Sequence, residues 1–246
     1  MTNREKRFWT GAGIVTAEML GTLAVFTAVV SGIVLLIRPR VRKFKRIDLA
    51  AFDKVKPHIT ERNNELMLFF TKLGKHGFLI PANLSLILFY LFIRKHSWFS
   101  IRVASISISS LLLMIALKKT FQRKRPLDPV LSKARGLSFP SGHAIMSVTF
   151  YGLIIYILSH EIENRAVKVA IIPPMIILMQ AIGFSRIYLR VHYPSDVVAG
   201  HLIGLGWLLT SLNVLKGLEA YNKRKTLQLF DGSAAPKILP LTATQL

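Results

Sequence analysis

The sequence predicts an all-α, polytopic membrane protein: six transmembrane helices in one bundle, with an amphipathic, interfacial segment between the first and the second. Three observations predict it. The chain is 52% hydrophobic and its mean hydropathy is +0.44, too apolar for an ordinary soluble domain. Its apolar residues come in blocks of about 18–25, the length a helix needs to cross a bilayer. Charge gathers between the blocks, with 33 Lys+Arg against 12 Asp+Glu and a formal net charge of +21.

The predicted spans are 14–37, 77–94, 99–117, 142–160, 167–185 and 197–216. The basic start, 1–7, resembles the opening of a signal peptide, but the apolar run behind it is long enough to span and lacks a small-residue cleavage site, so it reads as a retained first helix. Glu18 lies near the start of that span and can reach the interface. The second span carries Pro81 near its start. Pro173 and Pro174 sit inside the fifth, where a kink is expected. Gly200, Gly204 and Gly206 in the sixth read as close helix packing. His201 reads as a bundle-interior polar group, and His58, His76, His96 and His160 as loop or interface residues. Between spans one and two, 38–76 opens strongly basic, and 64–70 has the pattern of an interfacial helix. Residues 1–222 are expected to form one transmembrane domain and 223–246 a polar, mobile tail.

The charge points to anionic lipid headgroups or a phosphorylated substrate. Nucleic acid is disfavoured, because the basic residues are scattered around membrane spans. The absence of cysteine excludes disulfides, thiolate catalysis and thiolate-bound metal. Six spans put both termini on one side and bring the loops after spans three and five together on the other.

Those two loops hold three clusters. Lys118 and Arg125 leave span three seven residues apart, about two helical turns, and so share a face. Pro140-Ser141-Gly142-His143 reads as a helix N-terminus with Ser141 as N-cap. Its free N–H groups and positive dipole end suit an anion, and His143 can move a proton beside it. The third cluster runs from Ser185-Arg186 through His192 to Asp196. Two histidines, one aspartate and several cations at one membrane face are the parts of a phosphoryl-transfer site. Cations and backbone donors hold the phosphate oxygens, one histidine attacks under the control of a carboxylate, and the other protonates the leaving oxygen. Apart from Asp196, only Asp128 lies in these loops, too few carboxylates for a two-metal site. The expected chemistry uses no metal and no cofactor. Arg123, Lys124 and Arg190 are further cations able to meet a second phosphate.

The series Lys-x6-Arg-Pro, Pro-Ser-Gly-His and Ser-Arg-x5-His-x3-Asp, over about 118–200, resembles the type 2 phosphatidic acid phosphatase (PAP2) superfamily of integral-membrane lipid phosphatases. The resemblance implies that His192 is the nucleophile that becomes phosphorylated and that Asp196 orients it. His143 would be the acid for the leaving group and then the base for water. Lys118, Arg125 and Arg186 would clamp the phosphate, with Ser141 and the N–H groups of Gly142 and His143 completing the cradle. Undecaprenyl pyrophosphate, phosphatidylglycerophosphate, phosphatidic acid and lipid A phosphates all fit such a family. A lipid phosphotransferase and a non-catalytic lipid-binding or transport protein are the competing readings. The positive-inside rule would put the motif face in the cytoplasm, whereas the resemblance implies the outer face of a bacterial plasma membrane. The outer face is adopted, because catalytic cations inflate the count and long loops obey the rule poorly.

Overall fold

The computed structural model describes residues 28, 30–37, 44–131 and 136–231. Glu18 and most of the first predicted span lie outside them. The described part of that span, 30–37, is helical. Its Val30, Ile33, Val34 and Ile37, at the spacing of one helix face, pack on a cluster that includes Leu117, Ile145 and Trp207.

The numbered helices are α1 (Lys45–Val55), α2 (Glu61–Leu73), α3 (His76–Leu88), α4 (Ser97–Phe121), α5 (Gly142–Glu161), α6 (Arg165–Tyr188) and α7 (Pro194–Asp231). A π-helical turn, Phe89–Ile93, ends α3. No strand occurs among the described residues. Five helical stretches are long and apolar enough to cross a membrane: Glu61–Ile93, Ser97–Phe121, Gly142–Glu161, Arg165–Tyr188 and Pro194–Tyr221. They correspond to the second to sixth predicted spans, so the chain is a multi-pass helical membrane protein.

Local sequence sets the helix ends. The Thr60 side chain caps α2 by accepting from the Asn63 N–H at 3.3 Å. Asn164 caps α6, its Oδ1 accepting from the N–H groups of Ala166 and Val167. Pro194 opens α7 at a position where no N–H is needed. Two boundaries differ from expectation. Residues 64–70 belong to α2, which is separated from α3 only by Gly74 and Lys75. α2 lies along the end of α6, with the Thr71 and Ser185 hydroxyls 2.7 Å apart and the Tyr188 hydroxyl donating to the carbonyl of His58 and to Asn64. The last helix runs on to Asp231, past residue 222. Both Pro173 and Pro174 lie within α6 without ending it.

At the centre is α5, buried throughout 144–151. Its contact with α7 is backbone-close: a Cβ on Gly200 would lie 2.9 Å from the Ser141 carbonyl oxygen, and one on Gly204 3.0 Å from that of Ile145. These glycines let the first turns of α5 and α7 meet side by side, which brings the second and third motifs together. Gly206 corrects the expectation for all three, since a Cβ there would meet nothing within 4 Å. At the opposite end of the bundle a buried ion pair, Arg102 with Glu219 at 2.5 Å, ties α4 to α7.

Candidate active site

Four helix ends converge: the last turn of α4, the first of α5, the last of α6 and the first of α7. The α2–α3 junction closes one side, and α1 closes another. All eight residues singled out by the motifs lie at these ends or in the loops joining them.

His192 is 2% exposed and Asp196 is fully buried. One guanidinium N–H group of Arg125 points at His192 Nε2 over 3.1 Å and also donates to the Val191 carbonyl at 2.7 Å. Guanidinium is only a donor, so Nε2 carries the lone pair and the ring proton sits on Nδ1. Nδ1 lies 3.5 Å from Asp196 Oδ2, longer than a hydrogen bond but facing it. Burial lowers the His192 pKa to about 3, against the opposing pull of Asp196. The imidazole is therefore neutral near pH 7, with its free electron pair on the nitrogen that faces Arg125.

The carboxylate of Asp196 is held on every side. Arg123 donates to Oδ1 at 2.6 Å, while the Ser138 hydroxyl and the Tyr193 N–H donate to Oδ2. Its backbone carbonyl accepts from the Ser141 N–H at 3.0 Å, joining the start of α7 to the start of α5.

Ser141 occupies the N-cap position, as expected, but its side chain makes no capping bond. Its buried hydroxyl has no partner. The next N–H groups, of Gly142, His143 and Ala144, belong to the first turn, where intrahelical partners are lacking. His143 has a buried Nε2 without a partner. It lines a cavity of about 280 Å³ together with Leu68, Thr71, Lys75, Leu131, Arg186, Leu189 and Val191. Gly74 makes this wall possible, since a Cβ there would lie 3.1 Å from His143 Cδ2 and 2.5 Å from Ile182. Arg186 donates to Thr71 at 3.1 Å, and its buried Nε is unpartnered. Buried polar atoms left open beside a cavity mark where a polar ligand would complete the bonding. Val191, the neighbour of His192, forms part of the wall, while Arg125 covers His192 Nε2.

Lys118 lies beside the first turn of α5. Its ammonium group donates to the carbonyls of Leu137 and Pro140, both at 2.9 Å, with that of Ser138 at 3.5 Å. It thus holds the loop before α5 in position. Arg123 is placed differently. It is no spare cation: its guanidinium bridges Asp196 and Asp48, the latter at 2.7 Å, and stacks 4.1 Å above the Tyr193 ring. Arg190 lies 5.1 Å over Phe52, and Lys124 is exposed. His201 meets the expectation of an interior polar group, with its two ring nitrogens near the carbonyls of Val197 and Met179.

Asp48, Ser138 and Ser195 were not legible as site residues. Asp48 lies in the basic segment before α2, 147 positions from Ser195, which it nonetheless hydrogen-bonds. The one usable signal was Arg123 itself, a cation two residues from Arg125 that needs a balancing carboxylate once buried.

Bundle and site define a multi-pass membrane protein with a cation- and histidine-lined cavity at one end. The PAP2 superfamily model matches residues 99–218. Phosphatidylglycerophosphatase B of Bacillus subtilis is 33% identical over 65% of this chain and 77% of its own length. An undecaprenyl-diphosphatase of Sulfolobus acidocaldarius is 26% identical over 59% of the chain and 66% of that protein. The crystal structure of a transmembrane PAP2-type phosphatidylglycerolphosphate phosphatase from Bacillus subtilis superposes with a TM-score of 0.64 at 25% identity, covering 82% of this chain and 96% of that one. The chain belongs to the PAP2 superfamily.

Proposed function

We infer that this protein is a lipid phosphatase that hydrolyses a lipid phosphate or diphosphate without metal, through a phosphohistidine at His192. The observation that carries this reading is the placement of the His192 ring: Arg125 faces Nε2 over 3.1 Å, and Nδ1 lies 3.5 Å from the buried Asp196 carboxylate. The Nε2 electron pair attacks phosphorus as the bond to the lipid oxygen breaks, and His143, protonated with the phosphate anion beside it, gives its proton to that oxygen. Neutral His143 then takes a proton from water as the water oxygen attacks phosphorus. The P–N bond breaks, phosphate leaves, and His192 is neutral again. Arg125, Arg186 and the first-turn N–H groups of α5 stabilise the charge on the phosphate oxygens. Lys118 supports the loop carrying Ser141 and Gly142. Leu68 and Leu131 line the cavity, apolar surface suited to a lipid arriving sideways.

Purified protein in liposomes is expected to release inorganic phosphate from at least one of a panel of lipid mono- and diphosphates, and to do so undiminished in EDTA. No release from any of them would defeat the phosphatase reading, and chelator-abolished activity restored by Mg²⁺ would defeat the metal-free part. Lys75 on the cavity wall favours a substrate with a second anionic group, so the diphosphates are the members of the panel to try first.

The proposed orientation has the site on the extracytoplasmic face of a bacterial plasma membrane, in a frame of six spans. In the cysteine-free background, an impermeant thiol reagent applied to intact cells is expected to label S132C and not S233C; the reverse pattern would invert the orientation.

A further inference from the structure

Asp48 lies in α1, far in sequence from every motif, yet it is fully buried against the start of α7. One of its oxygens accepts from the Ser195 N–H at 2.9 Å. The other accepts from the Ser195 hydroxyl at 2.7 Å and from Arg123 Nη2 at 2.7 Å. Arg123 in turn donates through Nη1 to Asp196 Oδ1 at 2.6 Å and to the Ser195 hydroxyl at 2.7 Å. One guanidinium is thus shared by two buried carboxylates, and Asp196 faces His192 from the other side.

Charge balance gives this arrangement a consequence. Arg123 alone beside Asp196 would cancel the carboxylate, leaving a neutral pair. The second carboxylate restores one net negative charge to the group. That charge matters when His192 becomes phosphorylated on Nε2 while keeping its Nδ1 proton, because the ring is then cationic. In a buried site an opposite charge at this range stabilises such a ring strongly. The bonds to Ser195 also fix the first turn of α7, and with it the position of Asp196.

We propose that Asp48 is a positioning residue for the phosphoryl-transfer step: by sharing Arg123 it leaves the negative charge of Asp196 available to His192. The proposal rests on the roles inferred above for His192 and Asp196. It assigns a function in the reaction to the segment before α2, which carries none of the motifs.

The test compares wild type, D48N, D48A, R123Q, the double variant D48N/R123Q, and H192A, all in liposomes with a lipid phosphate that the wild type turns over. D48N and D48A are expected to lower kcat by about 10–100-fold, equivalent to one or two tenfold steps in barrier, with KM changed less than about threefold. In D48N/R123Q both charges are removed, Asp196 keeps its own, and kcat is expected to recover at least about fivefold over D48N. A role limited to holding α1 in place predicts the opposite, since the double variant loses more contacts than the single one. Wild-type kcat in D48N, or a folded double variant no faster than D48N, overturns the proposal. Should D48N fail to fold, the double variant decides: charge balance requires it to work within about tenfold of wild type, and a folded but inactive double variant refutes it. H192A separates the two levels of inference. An active H192A removes the nucleophile assignment itself, whereas an inactive H192A beside an unimpaired D48N removes only the role of Asp48.

Discussion

The H192A variant is expected to lose lipid-phosphate hydrolysis by a factor on the order of 10⁴ or more, while its thermal unfolding in detergent stays close to that of wild type. The size of the loss follows from the role: a covalent nucleophile has no substitute, and removing one member of such a unit costs nearly as much as removing all of it. Retained folding follows from the surroundings. Asp196 keeps Arg123, Ser138 and the Tyr193 N–H when the imidazole is gone, and Arg125 keeps the carbonyls of Gly136 and Val191. The cavity left by the ring is the main structural cost. Turnover within about tenfold of wild type, in a preparation free of other phosphatases, would remove His192 from the chemistry and leave the cationic cavity as a binding site only.

Loss of His143 has a different signature. Alkoxide leaves phosphorus poorly unless it is protonated as the bond breaks, so H143A is expected to slow hydrolysis of a lipid alkyl phosphate by about 10²–10⁴-fold. p-Nitrophenolate needs no such proton. With p-nitrophenyl phosphate the first half of the reaction in H143A is expected to stay within about tenfold of wild type. The second half still needs a base for water. A burst of p-nitrophenol equal to the enzyme concentration, followed by slow turnover, is therefore predicted for this variant. The unpartnered Nε2 of His143 at the cavity wall is the atom that would carry both transfers. Equal losses on the two substrates with no burst would mean that His143 contributes binding or packing instead of proton transfer.

Much of this was legible in the sequence, and the limits have physical causes. Hydrophobic block length located the membrane helices because a bilayer imposes a minimum span on any helix that crosses it. Motif spacing located His143, His192, Asp196 and the cations because each lies within a few residues of a helix end. The close approach at Gly200 and Gly204 was read correctly as helix packing, while Gly206, on the same helix with the same residue type, faces away. Composition cannot separate these cases, because facing is set by the partner helix. Asp48 was invisible for a related reason. A carboxylate in a basic, amphipathic segment gives no local sign that it will be buried beside a helix start 147 residues away. Lys118 and Arg123 show the same limit at finer scale. Lys118 was read as a motif cation and Arg123 as a further cation near it, but only the fold assigns one to loop carbonyls and the other to a pair of carboxylates.

A covalent bond between phosphorus and His192 is the centre of the account, and trapping it is the direct measurement. Wild type and H143A would be mixed with lipid phosphate carrying a radioactive phosphorus, quenched in alkaline detergent within milliseconds, and mapped by peptide. The prediction is one label per active enzyme, stable to alkali, lost in acid, carried by the peptide containing His192, more abundant in H143A and absent from H192A. Label on another residue, or none in H143A under conditions where wild type turns over, would contradict it.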